Sequence, residues 1–443
     1  MALDSFFSQG INSEAFSKAS DLKKRIVFAL LALFVLRVGS FIPIPGLDAS
    51  VVSRIADQHL SGVGLLSMFN MFSGGSLSRM TLFALSLSPY ISSSIIIQLC
   101  TMMFPALEAL KKEGEMGRKK INQYTRYLTI LVAGFQGYGI SLYLMNHELN
   151  PVVIGNLFPI IAVPTLLCGT LFLVWLGEQI TSRGIGNGTS LLIFGGIVAG
   201  MPASIAQIFQ LGRAGALSIF AIIVIFSIAI GVIMLVVFIE RAQRRVSIHY
   251  PQKQAMMQQG QFSADANHLP LKINSAGVIP PIFAYSLLSL PMMLMGVAHA
   301  TNNDFLISLL SSFGRGGIGF TIVFVSLIIF FSFFYTAIVF NPTETADNLK
   351  KAGGFVPGVR PGQATAEYLD YILTRLTAVG ALYMAFVCII PDVVNSKFGI
   401  QFIFGGTGIL IIVGVTMDTI SQVYTHILSH QYKGILKKTR KKK

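Results

Sequence analysis

Apolar residues in this chain gather in long blocks separated by polar connections. Ten of the blocks approach the roughly 20 residues that a helix needs to cross a hydrocarbon layer. Their cores run Ile26 to Ile42, Leu82 to Met103, Tyr127 to Met145, Ile154 to Leu176 and Leu191 to Ile208, then Leu217 to Ile239, Ala276 to Ala298, Ile318 to Phe340, Leu376 to Ile390 and Ile409 to Leu428. No stretch long enough for a separate soluble domain is left over. The first block does not read as a cleavable signal, because Pro43-Ile44-Pro45-Gly46 follows it without a small-residue cleavage site. The pattern predicts an all-α integral membrane protein of ten transmembrane helices.

Composition agrees. Of 443 residues 53% are hydrophobic and 12% charged, too few charges to cover a soluble globule of this size. The three cysteines, Cys100, Cys168 and Cys388, lie in apolar runs without CxxC spacing, which excludes a disulfide scaffold and a thiolate metal site. With an even number of crossings both termini share one side, and 27 of the 33 Lys and Arg fall on that side. The positive-inside rule makes it the cytoplasm. The opposite connections hold Arg54, Arg79, Arg213, Arg315 and Lys397, with Arg37 near an end of the first span.

The spans are nearly empty of the ionisable groups that ion-coupled transporters keep as relays. Asp418 is the exception, either an acid near a helix end, paired or facing water, or a proton site. Catalytic patterns fail as well. His147-Glu148 lacks the second His of H-E-x-x-H, and Gly184, Gly186 and Gly188 are followed by no Lys-Ser/Thr, so they read as a turn between helices. No enzyme activity and no cofactor or metal is expected, and the energy for any work must come from outside.

Two cytoplasmic connections, 241–274 and 341–375, are long and polar for so apolar a chain, and connections of such length are commonly functional. Pro and Gly around Phe355-Val-Pro-Gly-Val-Arg360-Pro-Gly fix a turn that presents Arg360. This segment resembles the SecY family of protein-conducting channel subunits. So do Phe41-Ile-Pro-Ile-Pro-Gly46, Met68-Phe-Asn-Met-Phe-Ser-Gly-Gly75, Ser88-Pro-Tyr-Ile-Ser92, Lys112-Glu-Gly-Glu115, Trp175-Leu-Gly-Glu-Gln-Ile180, Arg183-Gly-Ile-Gly-Asn-Gly188, His268-Leu-Pro-Leu-Lys272 and Gly405-Gly-Thr407, in matching order along nearly the whole chain.

The resemblance implies two pseudo-symmetric halves around an hourglass pore: residues 1–209 with spans one to five, and 210–443 with spans six to ten and a basic C-terminal tail. Five is odd, so such a repeat is inverted, an arrangement that solute carriers share and topology alone does not distinguish. An inverted-repeat solute transporter is therefore the alternative; a channel of the plasma membrane passing unfolded secretory chains is the main reading.

By resemblance, Leu87, Ile91, Ile193, Ile282 and Ile411 form an aliphatic pore ring of the kind that closes by dewetting, while Thr189 departs from the bulky aliphatic common at its position. The short apolar run 65–77, including Met68, Phe69, Asn70, Met71, Phe72, Ser73, Gly74 and Gly75, matches the family's plug. From its residues it reads equally as a re-entrant segment or as a helix lying on the outer surface. Ser92 and Asn274 are the expected polar members of a lateral gate between spans two and three and spans seven and eight. Arg360 is the expected contact for the motor ATPase SecA or the ribosome. Lys111, Lys112, Arg118, Lys119 and Lys120 suit ribosomal RNA or anionic headgroups as well as plain topogenic charge. The tip between spans six and seven holds only Lys253 between Gln252 and Gln261, where relatives carry several cations. The remaining implied partners are SecE and SecG, signal-bearing preproteins and the phospholipid bilayer; no DNA is expected.

Overall fold

The computed structural model describes residues 20–60, 70, 72–145, 151–215, 218–250, 268–288, 318–398 and 406–440. Met68, Phe69 and Met71 of the expected plug lie outside these residues, as do the tip of the 241–274 connection and the later part of the seventh expected span. The described chain falls into two compact units. One holds the residues up to Gln210 together with those from Ile411 on, and the other the residues between Leu211 and Leu410.

The first unit begins with α1 (Ser20–Gly39) and the short α2 (Ala49–Leu60). Asp48 caps α2: its carboxylate accepts from the Ser50 amide at 2.9 Å and the Ser50 hydroxyl at 2.7 Å, satisfying donors that a helix start leaves open. Next come α3 (Ser88–Met103) and α4 (Pro105–Lys112), turned 100° from each other at Phe104. Proline favours the first turn of a helix and pushes its predecessor into extended backbone, which is why the chain bends there. The long helices α5 (Glu115–Met145), α6 (Phe158–Arg183) and α7 (Gly188–Arg213) follow, and α13 (Gly406–Arg440) returns to this unit from Ile411 on.

Helix α5 packs against α3 and α6. A small residue helps the α5–α6 approach, with Gly137 of α5 over Val163 and Leu166 of α6, and Gly169 of α6 separately lies against the Leu82 carbonyl in the turns before α3. At the polar end, Arg126 of α5 reaches Glu178 of α6 with two nitrogens, Nε at 3.1 Å and Nη2 at 2.7 Å from Oε1.

The second unit opens with α8 (Ile219–Arg241), capped by Ser218, whose hydroxyl accepts from the Ala221 amide at 3.2 Å. Strands β1 (Gln243–Ser247) and β2 (His268–Lys272) pair antiparallel with Gln243 opposite Lys272 and Ser247 opposite His268. Helices α9 (Ile279–Leu288), α10 (Ile318–Val339), α11 (Pro342–Lys351) and α12 (Gln363–Phe398) complete it. Asn341 caps α11, accepting from the Thr343 and Glu344 amides at 3.2 and 3.4 Å.

Helices therefore occupy each of the ten expected stretches, in whole or in part. Among the described residues seven are long and apolar enough to span a membrane, or eight if the bent pair α3 and α4 counts as one. The described part of α9 is shorter, and α1 has the length but carries Lys23, Lys24, Arg25 and Arg37. Two details differ from the sequence reading. The second span starts at Ser88 rather than Leu82, because residues 82–87 run in turns with Ser86 in the left-handed region at φ 50°. And among the described residues a two-stranded hairpin stands within the 241–274 connection, where the sequence reading expects an all-α chain.

Candidate functional site

The described part of the expected plug is folded onto its own unit. Glycine at Gly74 and Gly75, with φ of 66° and 83°, supplies the left-handed turns. The Asn70 carbonyl accepts from the Gly75 amide at 2.8 Å and the Ser73 hydroxyl at 3.0 Å, and the Asn70 side chain accepts from the Ser78 amide at 2.9 Å. Ser73, Gly74, Ser76 and Leu77 are buried, and a side chain on Gly74 would come within 3.1 Å of the Gly196 Cα on α7. Two ties hold the segment to the end of α1. Arg37 Nη1 donates to the Gly74 carbonyl at 3.1 Å, and residues 42–44 pair with 80–82 through Ile44 N to Met80 O at 3.0 Å and Leu82 N to Ile42 O at 2.9 Å. From Ser73 on this is a run of buried turns, not a helix lying on a surface.

The expected pore-ring residues are all apolar and four are buried: Leu87 at 1% exposure, Ile193 at 7%, Ile282 at 9% and Ile411 fully. Ile91 is half-buried. Leu87 stands just outside the second span, as the residue capping α3, and its carbonyl accepts from the Ile91 amide at 3.0 Å. Leu87, Ile91, Ile193 and Ile411 belong to the first unit and Ile282, on α9, to the second. Thr189 is half-buried, with its amide donating to Asn187 Oδ1 at 3.2 Å.

The expected gate residues Ser92 and Asn274 are both buried. Asn274 is held within its own unit: its amide nitrogen donates to Glu240 Oε1 at 2.6 Å and to the Gly277 carbonyl at 3.0 Å. Sequence reading missed Gln136 of α5. It is buried, and neither its oxygen nor its nitrogen finds a hydrogen-bond partner among the described residues. Only its polarity inside an apolar block could have drawn attention to it.

The two long connections of the second unit fold together. His249 and Phe355 exchange backbone hydrogen bonds of 2.8 and 2.9 Å. Val246 and Leu271 of the hairpin share a small apolar core with Val356, Leu369, Ile372 and Leu373. Gly354 lies under the Tyr250 ring, which a side chain there would meet at 2.5 Å and have to displace. On this base Arg360 is exposed, and its carbonyl accepts from the Thr365 hydroxyl at 2.8 Å, which fastens the turn to the start of α12. The cations Lys111, Lys112, Arg118, Lys119 and Lys120 lie exposed along α4 and the first turns of α5. Lys112 pairs with Glu108 at 2.7 Å and, with its hydrogen bond and charge, holds that carboxyl below the usual carboxylate range. Asp418 is exposed on α13.

A multi-pass helical membrane protein with this succession of spans, buried turn segment and paired long connections has the fold of the protein-conducting channels. A solved protein-conducting channel covers 91% of the chain and 92% of its own length at a TM-score of 0.64 and 15% identity. Sec61 in the canine ribosome–channel complex from the endoplasmic reticulum covers the same shares at 0.60 and 15%. The SecY family model matches residues 81–420. The protein translocase subunit SecY of Rickettsia conorii is 50% identical over 436 residues, 96% of this chain and 99% of that one. Its counterpart from Escherichia coli K12 is 49% identical over 427 residues, 94% of each. The chain belongs to the SecY family.

Proposed function

We propose that this chain is the channel-forming subunit of a Sec protein translocase, passing unfolded secretory polypeptides across the plasma membrane and releasing membrane segments sideways into lipid. What carries the reading is identity of about half over nearly the full length to subunits named for that activity. The chain would work as a conduit rather than as an enzyme, with SecE and SecG as small companions, both termini in the cytoplasm, and SecA or a translating ribosome supplying the drive. The solute-carrier alternative is not favoured, since the family has the fold of channels rather than carriers.

In this reading the halves 1–209 and 210–443 enclose the pore. Leu87, Ile91, Ile193, Ile282 and Ile411 line its narrowing, where aliphatic walls close by dewetting yet yield to passing side chains of any size. The plug around Asn70 to Gly75 seals the resting channel. Ser92 and Asn274 hold the gate with polar contacts worth about 1 kcal/mol, weak enough for an apolar client to displace. Arg360 meets the motor or ribosome, aided by the cations from Lys111 to Lys120. Support for the docking role comes from the exposed Arg360 on a base with its own apolar core. Reconstitution in liposomes with SecA, ATP and a signal-bearing precursor tests it. Arg360→Glu should sharply reduce protected precursor while Arg360→Lys retains part of it. Equal transport by wild type and Arg360→Glu would remove the docking role.

A further inference from the structure

In the second unit the hairpin and α9 are joined through one buried side chain. The β1–β2 ladder, which pairs Gln243 with Lys272, is extended by one further bond, Ile273 N to Ala242 O at 3.1 Å. The next residue toward α9 is Asn274, only 3% exposed. Its amide nitrogen closes the base of the hairpin, donating at 2.6 Å to Glu240 Oε1 in the last turn of α8. It also donates at 3.0 Å to the Gly277 carbonyl, in the turn that leads into α9. Hydrogen bonds that end on a carboxylate are roughly twice as strong as neutral ones, so the bond to Glu240 is the firmer of the two.

Helix α12 touches both ends of this arrangement. Leu369, Ile372 and Leu373 lie in the apolar core shared with Val246, Leu271 and Val356, the base on which the Arg360 turn rests. Further along the same helix Gly380 lies against the joint, where a side chain would come within 2.9 Å of the Ile273 carbonyl and 3.6 Å of the Asn274 Cα. Backbone packed this closely against backbone leaves no room for one segment to slide past the other. A continuous path therefore runs from the Arg360 base through the hairpin and α12 to Asn274, and from there into α9, whose first turn carries the expected pore-ring residue Ile282. Contiguous packing and hydrogen bonds of this kind can carry coupling between distant sites.

We infer that Glu240 is a positioning residue: its carboxylate fixes Asn274 so that a partner docked at the Arg360 turn moves the start of α9, and Ile282 with it. The inference deepens the transport reading above and rests on it. Without the carboxylate, Asn274 keeps only its bond to Gly277, which holds the turn before α9 to itself and not to α8. The docked base can then shift while α9 stays behind.

The test uses the complex assembled with its companion subunits in liposomes, with SecA titrated at saturating ATP and signal-bearing precursor. Glu240→Ala should lower maximal transport about tenfold, the weight of one charge-assisted hydrogen bond, while the SecA concentration giving half of that maximum stays within about twofold. Glu240→Gln, whose amide oxygen still accepts from Asn274, should retain most of the transport. Asn274→Asp alone sets two carboxylates together and should fail as Glu240→Ala does. The pair Glu240→Gln/Asn274→Asp reverses donor and acceptor and should recover transport to near the level of Glu240→Gln. The inference is overturned by maximal transport in Glu240→Ala equal to or above wild type, by a loss that shows only as weaker SecA docking, or by failure of the reciprocal pair to recover. If Glu240→Ala does not assemble, hydrogen exchange in the wild-type complex decides. SecA should change exchange at residues 273–279 as well as at 355–360, and a change confined to 355–360 overturns the inference. A wild-type complex that transports nothing would count against the transport reading itself, whereas Glu240→Ala matching an active wild type leaves that reading standing.

Discussion

At the scale of single residues, the structure turns close approaches into measurable consequences. A side chain at Gly196 would meet the Phe72 carbonyl at 2.6 Å, and backbone cannot step aside as a flexible side chain can. Gly196→Ala should therefore loosen the 70–77 turns from α7 at a cost of about 1–3 kcal/mol, seen as a lower thermal midpoint in detergent. Gln136 argues in the opposite direction. Its buried amide lacks partners among the described residues, so Gln136→Leu should leave stability unchanged or raise it by about 1–3 kcal/mol, and a marked loss would mean that the amide is satisfied by something bound there. Asp48 gives a pH dependence. Hydrogen bonds from Ser50 hold its carboxyl below the ordinary value. Stabilisation of α2 by this cap is present above the unfolded carboxylate pKa and is lost as pH falls through the lower folded value. The Asp48 carboxyl carbon should accordingly titrate below that of a free aspartate when followed by NMR, and Asp48→Asn should flatten the dependence.

At the scale of elements, the hairpin β1–β2 and the segment from Phe355 to Leu373 behave as one small folded platform beneath Arg360. Val356 is buried in its core, so Val356→Ala removes apolar volume where the platform has little to spare and should cost about 1–3 kcal/mol. The check is limited proteolysis: cleavage near Arg360 should speed up in the variant while the spanning helices stay intact. This platform was not legible in the sequence. Block hydropathy finds helices because twenty apolar residues in a row have few other fates, but β1 and β2 are short, each with a single buried residue, and the residues they share a core with, Val356 to Leu373, lie far along the chain. The start of α3 was misread for a related reason. Leu82 to Leu87 is as apolar as a helix, yet its backbone is drawn into turns by pairing with residues 42–44, which no local pattern announces. What could be read were the ten helical stretches, in whole or in part, and the exposure of Arg360 at a Pro-Gly turn. The burial of Leu87, Ile193, Ile282 and Ile411, the tie from Arg37 to Gly74 and the solitary Gln136 depend on tertiary contacts.

At the scale of the whole molecule, a channel wide enough for a polypeptide must still hold back ions when idle, and an aliphatic ring alone dewets only while it stays narrow. In the channel proposed above, the turns at Ser73 to Leu77 secure the idle state. They are fastened by backbone hydrogen bonds, by glycine conformations and by one arginine, ties that are individually weak and can be undone one at a time. Deleting Asn70 to Ser76 removes the fastened segment without touching Leu87, Ile193, Ile282 or Ile411. If the segment seals the pore, planar-bilayer recordings of the resting complex should show frequent ion-conducting openings after the deletion, while precursor transport persists because the aliphatic ring remains. Arg37→Gln should shift the same recordings in the same direction but less far, since it removes one tie and leaves the 42–44 pairing with 80–82. A silent bilayer after the deletion would assign the whole seal to the ring, and the turns would then be a packing element of the first unit and nothing more.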